Sequence, residues 1–278
     1  MGTERTHRAV SSDGTEIVAS VHGQGPPLVM VAGILEDSEM TWEGMLPLLT
    51  ERFTCLLTDT RGRGRSGDHP DHSPRRLWDD IASLADSVGE PVGLVGESGG
   101  AGRVLGAAAR ASSVAAVAVY EPAVASMLTD EDVARFEQGV MRMSALADEG
   151  DTAEAARTLL SVVAREEELA ALPDDYFQTA GGYVSVFLQE LSQSVDHEGP
   201  DPFDPTSLGR ITAPVLLLHG AETAMPESFS AAVQHVAQHV AEPRVVELPG
   251  VGHLAPAVAP EVVAPQLTGF FDGTLTPT

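Results

Sequence analysis

Residues 92–100, Val92-Gly93-Leu94-Val95-Gly96-Glu97-Ser98-Gly99-Gly100, constrain the fold of this chain more than any other stretch. An apolar, strand-like run leads into G-x-S-x-G, and a helix-forming run, Arg103 to Arg110, follows. Strand, tight turn and helix in that order make a nucleophile elbow. The turn presents a serine hydroxyl at a strand end, and the flanking glycines let neighbouring backbone approach where a Cβ would clash.

The rest of the chain repeats the same rhythm of short apolar runs and longer helical patterns. Strands are expected over Ile17–Val21, Leu28–Val31, Phe53–Thr58, Val92–Val95, Val114–Tyr120, Pro214–Leu218 and Arg244–Leu248. Helices are expected over Trp42–Arg52, from Pro74 to Val88 with Ser73 as N-cap, over Ser228–Val240, and near Pro260–Phe271. Strands apolar on both faces and separated by helices imply a mostly parallel central sheet with helices on both faces. From about Ala123 to Leu208 the rhythm stops and the chain reads as helical. This gives a core of residues 1–122 and 209–278 with a helical cap inserted at 123–208. Met127, Met141, Met143, Phe177, Tyr183 and Phe187 fall in that insertion, as a small core of its own or as the lining of an apolar pocket.

The 278 residues carry 41 acidic against 16 basic side chains, all arginine, for a formal net charge of -25. So acidic a surface argues against nucleic-acid and anionic-membrane partners. The one cysteine, Cys55, lies inside an apolar run and reads as a buried small hydrophobe. Residues 1–6 lack an apolar signal core, and no apolar run reaches the length of a membrane span, so a cytoplasmic location is expected. A homodimer stays open.

Acyl transfer by a serine needs a hydroxyl, a base, an acid that orients the base, and donors for the oxyanion. Ser98 supplies the hydroxyl. His253, in the loop Pro249–Leu254 after the last strand, has the chain position of the base. Two glutamates compete for the acid. Glu121 ends the strand Val114–Tyr120, where a carboxylate faces the crevice at the carboxyl edge of a parallel sheet. Glu222 is the alternative, in the loop His219–Pro226, where an aspartate commonly stands three residues after the glycine and Thr223 stands here. The oxyanion donors are expected to be the amide of Gly99 and that of Ile34 or Gly33. The loop His69-Pro70-Asp71-His72 reads as solvent-exposed rather than as a metal site, and no cofactor is required.

Together these residues resemble the α/β-hydrolase superfamily, and Asp59-Thr60-Arg61-Gly62-Arg63-Gly64-Arg65-Ser66 looks like its D-x-R-G-x-G-x-S segment. Ala32-Gly33 in place of the frequent His-Gly, the missing late aspartate, and the segments Gly33–Met40 and Thr223–Phe229 are similar to zearalenone-type lactonases. That resemblance implies Glu121 as the acid, and a serine hydrolase cleaving a carboxylic ester or lactone of a largely apolar small molecule. Thioester or C–C bond hydrolysis on the same groups, or a non-hydrolytic cyclase or ligand-binding role on the same fold, are the alternatives.

Overall fold

The computed structural model describes residues 5–195 and 197–275; residues 1–4, within the segment read above for a signal core, lie outside the described residues. Eight strands form one sheet: β1 (Thr6–Val10), β2 (Glu16–Gly23), β3 (Pro27–Val31), β4 (Thr54–Asp59), β5 (Val92–Glu97), β6 (Val114–Tyr120), β7 (Val215–Gly220) and β8 (Pro243–Leu248). Their order is β1-β2-β4-β3-β5-β6-β7-β8. Strand β2 runs antiparallel to both neighbours, and every other pairing is parallel.

The period-2 alternation of the strands builds two cores at once. Val29 and Val31 of β3, Leu94 of β5, Val117 and Val119 of β6, and Leu217 of β7 point to one face. There they meet the helices Pro74–Ser87, Gly99–Ala108 and Pro226–His239. Leu28, Met30, Val95, Ala118, Tyr120, Leu216 and Leu218 point to the other, against Trp42, Phe53 and the helix Pro260–Leu275. A sheet sandwiched in this way accounts for the continuous apolar runs. Cys55 is fully buried within the second core.

Two local expectations need correction. Trp42–Arg52 is not one helix: the chain folds as Ser38–Trp42, a 3-10 turn over Glu43–Met45, and Leu46–Leu49. Gly44 and Pro47 break the run, as glycine and proline do inside helices. His72, read as exposed, is fully buried; its Nε2 lies 2.7 Å from Asp68 Oδ1 and its amide donates to Gln193 Oε1 at 2.6 Å.

Between β6 and β7 the described chain is helical, with longer helices at Asp130–Asp148, Thr152–Val163 and Val184–Val195. Met143, Leu146, Leu159, Leu160, Tyr176 and Phe187 form a third cluster, which Leu35 and Leu254 join from loops of the sheet. Met141 is exposed, so the methionines of this segment divide between core and surface. Among the described residues no helix is long and apolar enough to cross a membrane.

Candidate active site

Ser98 sits between the end of β5 and the helix beginning at Gly99, with φ +51° and ψ -120°. Positive φ is costly for any residue with a side chain, and the surroundings over-determine it. The Ser98 amide donates to the Tyr120 carbonyl at 2.9 Å, and its carbonyl accepts from the Ala123 amide at 3.4 Å. Gly100 makes the turn fit, since a Cβ there would stand 2.4 Å from the Ala32 carbonyl oxygen and 2.6 Å from that of Val31. The small residue lets the helix start directly against the end of β3.

Glu121 also has positive φ, +41°, and is fully buried where β6 ends. Its amide donates to the Leu218 carbonyl, so the β6–β7 pairing holds its backbone. Oε1 accepts from the Gly220 amide at 2.9 Å, and Oε2 accepts from the Thr223 hydroxyl at 3.2 Å. His253 arrives from the loop after β8, with Nδ1 2.7 Å from Glu121 Oε2 and Nε2 3.2 Å from Ser98 Oγ. Because a carboxylate only accepts, Nδ1 carries the proton and Nε2 is left to accept from the serine. Phe229 stacks on the imidazole, centroids 4.8 Å apart and planes 17° apart. The alternative acid, Glu222, is half-exposed and paired with Arg165 at 2.9 Å. The structure therefore brings Ser98, His253 and Glu121 together and leaves Glu222 outside. Thr223, standing where an aspartate was looked for, contributes a hydroxyl to Glu121 instead.

Burial alone pushes the His253 pKa down. The hydrogen bond and charge of Glu121, assisted by the charge of Glu168, outweigh it and raise the value to about 9. Glu168 reaches this loop from the helix Glu166–Ala171 and accepts from the Leu254 amide at 2.9 Å and the Arg165 amide at 3.1 Å. The helical segment thus clamps the residue following His253.

Of the predicted oxyanion donors, Ile34 lies against Gly99, where an added Cβ would meet Ile34 Cγ2 at 2.4 Å and its nitrogen at 3.9 Å. Gly99 opens its helix, where an amide has no carbonyl of the preceding turn to bind. Gly33 turns elsewhere: its amide lies against the Glu97 carboxyl. The loop of Ile34 is held by Arg63, which donates to the Ile34 carbonyl at 2.6 Å and to both oxygens of Glu190. Arg103 binds Glu190 too, at 2.9 Å, and these two members of the buried trio form part of the wall of the site.

A cavity of about 410 Å³ opens beside Ser98 and His253, lined largely by apolar side chains including Leu77, Trp78, Phe136, Leu160, Phe187 and Phe203. That volume suits a small organic ligand. Of the six methionine and aromatic residues singled out between β6 and β7, only Phe187 lines it.

Residues 21–266 match the model of the Alpha/beta hydrolase family. The chain belongs to that family. The sheet order, the elbow and the flanking helices are its fold, and hydrolases of known structure share it. An alpha/beta hydrolase from Sphaerobacter thermophilus superposes with a TM-score of 0.73 at 27% identity, covering 95% of this chain and 100% of that one. A 2-(acetamidomethylene)succinate hydrolase from Mesorhizobium japonicum is 26% identical over 258 residues, 90% of this chain and 89% of that protein. A probable oxidoreductase, EphD, from Mycobacterium tuberculosis is 43% identical over 67 residues; that match takes in 23% of this chain and only 11% of that protein's length.

Within this family member the sequence reading passed over the Glu97 carboxylate, Glu36, Phe229 and the Arg63–Glu190–Arg103 trio. Glu97 had a visible signal, a carboxylate inside an otherwise apolar strand and directly before the serine. Glu190 and Phe229 had none, since Glu190 lies 127 and 87 positions from Arg63 and Arg103, and the helix face bearing Phe229 meets His253 only after folding.

Proposed function

We propose that this protein is a serine hydrolase that cleaves a carboxylic ester or lactone of a largely apolar small molecule. The observation that carries the reading is the single imidazole bridging Ser98 Oγ and the Glu121 carboxylate. His253 takes the serine proton as Oγ attacks the carbonyl carbon, and Glu121 stabilises the imidazolium and fixes its tautomer. The amides of Gly99 and Ile34 receive the oxyanion; such donors contribute about 3 kcal/mol each to the transition state. The imidazolium then protonates the leaving oxygen. Water attacks the acyl-enzyme with His253 again as base, and the acid product leaves as Ser98 regains its proton. Residues 123–208 serve as a cap over an apolar cavity, which supports an apolar acyl or ring system over a highly charged one.

A fluorophosphonate probe followed by mass spectrometry tests the mechanism. The expected result is one adduct on Ser98, absent from Ser98→Ala, together with turnover of 4-nitrophenyl butyrate or a medium-ring lactone. Labelling that persists in Ser98→Ala, or a folded wild type that neither labels nor turns over any ester or lactone, would refute it.

A further inference from the structure

Three carboxyl groups, Glu121, Glu168 and Glu97, act on His253, a fourth, Glu36, neighbours Glu97, and all but Glu97 are furnished with side-chain or backbone donors. Glu121 has the Gly220 amide, the Thr223 hydroxyl and the imidazole. Glu168 has two backbone amides. Glu36 has the hydroxyls of Tyr176 and Thr41, the latter at 2.6 Å. Glu97 differs. It is 2% exposed and lines the cavity, yet its Oε2 is buried with no hydrogen-bond partner. Its Oε1 lies 3.6 Å from His253 Nε2, on the serine side of the ring.

Gly33 separates Glu97 from Glu36. A Cβ on Gly33 would stand 2.7 Å from Glu97 Oε2 and 3.3 Å from Glu36 Oε2, so both carboxyls converge on the space over one glycine. A neighbouring buried carboxyl opposes the ionisation of Glu97. Arg63 and Arg103 both turn to Glu190, and the imidazole of His253 is hydrogen-bonded to Glu121. The two carboxyls differ in their donors: two hydroxyls donate to Glu36, and Glu97 has only the nearby Gly33 amide. Burial, then the charges of Glu36 and Glu121, hold Glu97 protonated well above the usual carboxylate range, against the opposing pull of His253 and the Gly33 amide.

We propose that Glu97 is a neutral carboxylic acid, kept so by Glu36 across Gly33, whose free oxygen donates a hydrogen bond to a neutral oxygen of the substrate beside the scissile carbonyl. The proposal rests on the acyl-transfer reading of the site and narrows its substrate class. The preferred substrates are uncharged esters or lactones carrying an ether, hydroxyl or keto oxygen close to the reacting carbon. An acyl chain with its own carboxylate is rejected, because it adds a further anion beside Glu36 and Glu121. Such a donor, desolvated before substrate arrives, discriminates between an acceptor and a methylene.

Two measurements test this. The infrared difference spectrum of wild type minus Glu97→Gln at pH 7 should contain the C=O stretch of a protonated carboxyl. Its absence overturns the proposal whether or not any ester is turned over, so this failure is distinct from failure of the hydrolase reading. The second compares 4-nitrophenyl methoxyacetate with 4-nitrophenyl butyrate. Glu97→Leu should lower kcat/KM for the methoxyacetate about fivefold more than for the butyrate, the scale of one neutral hydrogen bond. Equal losses on both esters would show a merely structural role and overturn the assignment. So would a wild-type preference for the 4-nitrophenyl ester of glycine over the methoxyacetate that Glu97→Leu abolishes, which requires an ionised Glu97.

Discussion

Replacing Glu121 by glutamine probes the site at the atom where the fold leaves least freedom. The Gly220 amide donates to Oε1 at 2.9 Å. In Glu121→Gln that amide still needs an acceptor, which pins the amide oxygen at the Oε1 position and places the NH2 where Oε2 was. The NH2 then faces His253 Nδ1 at about the former 2.7 Å separation. Two donors do not face each other, so Nδ1 gives up its proton and the imidazole carries it on Nε2. That nitrogen, 3.2 Å from Ser98 Oγ, no longer accepts the serine proton. The Thr223 hydroxyl reverses and accepts from the new NH2, so the exchange is close to isosteric. A wrong tautomer with intact geometry costs about 10⁴-fold in kcat in the serine protease case on which this argument is patterned, equivalent to about 5 kcal/mol of transition-state stabilisation. The assay is the rate of fluorophosphonate labelling and of 4-nitrophenyl butyrate hydrolysis, with melting temperature as the control. Glu222→Gln, which touches only the half-exposed contact with Arg165, should stay within about twofold. A Glu121→Gln enzyme within tenfold of wild type, or a collapse in Glu222→Gln alone, would refute the reasoning.

Further outcomes follow from other contacts in and around the site. Since the His253 pKa is raised to about 9, kcat/KM should climb with pH toward a midpoint above 6.5, because only the neutral imidazole accepts the serine proton. Removing one of the raising charges in Glu168→Gln should move that midpoint down. By linkage, the stability this shift contributes is full below pH 6.5 and is lost as pH rises through about 9, a decline measurable by thermal melts. Gly100→Ala should cost about 1–3 kcal/mol in denaturant unfolding, because the added methyl meets two fixed carbonyl oxygens within 2.6 Å. Glu190→Gln should cost about 3–5 kcal/mol by leaving Arg63 and Arg103 buried together without an anion, and Glu190→Gln combined with Arg103→Met should recover part of that loss.

The core strands were legible because each is buried on both faces, which writes an uninterrupted apolar run into the sequence. Strand β6 was read to the residue, and β5 and β7 to within two or three residues. Strand β1 was missed: it is short, largely exposed, and becomes a strand only by pairing with β2. The break in Trp42–Arg52 is signalled by Gly44 and Pro47, although the flanking residues carry a helical period. The burial of His72 was illegible, because the Gln193 that covers its amide lies 121 positions away.

Taken alone, the sequence determined the layered α/β core, the strained serine turn and the late histidine, because each depends on residues adjacent in the chain. It also named both acid candidates, but chain order carries no information about which strand end an imidazole reaches. That choice belonged to the sheet. Strands β6 and β7 are neighbours in it, and their pairing sets Glu121 beneath the Gly220 amide and the Thr223 hydroxyl. Only folding set Glu36 and Glu97 on either side of Gly33, where burial removes the water that would otherwise solvate both carboxyls.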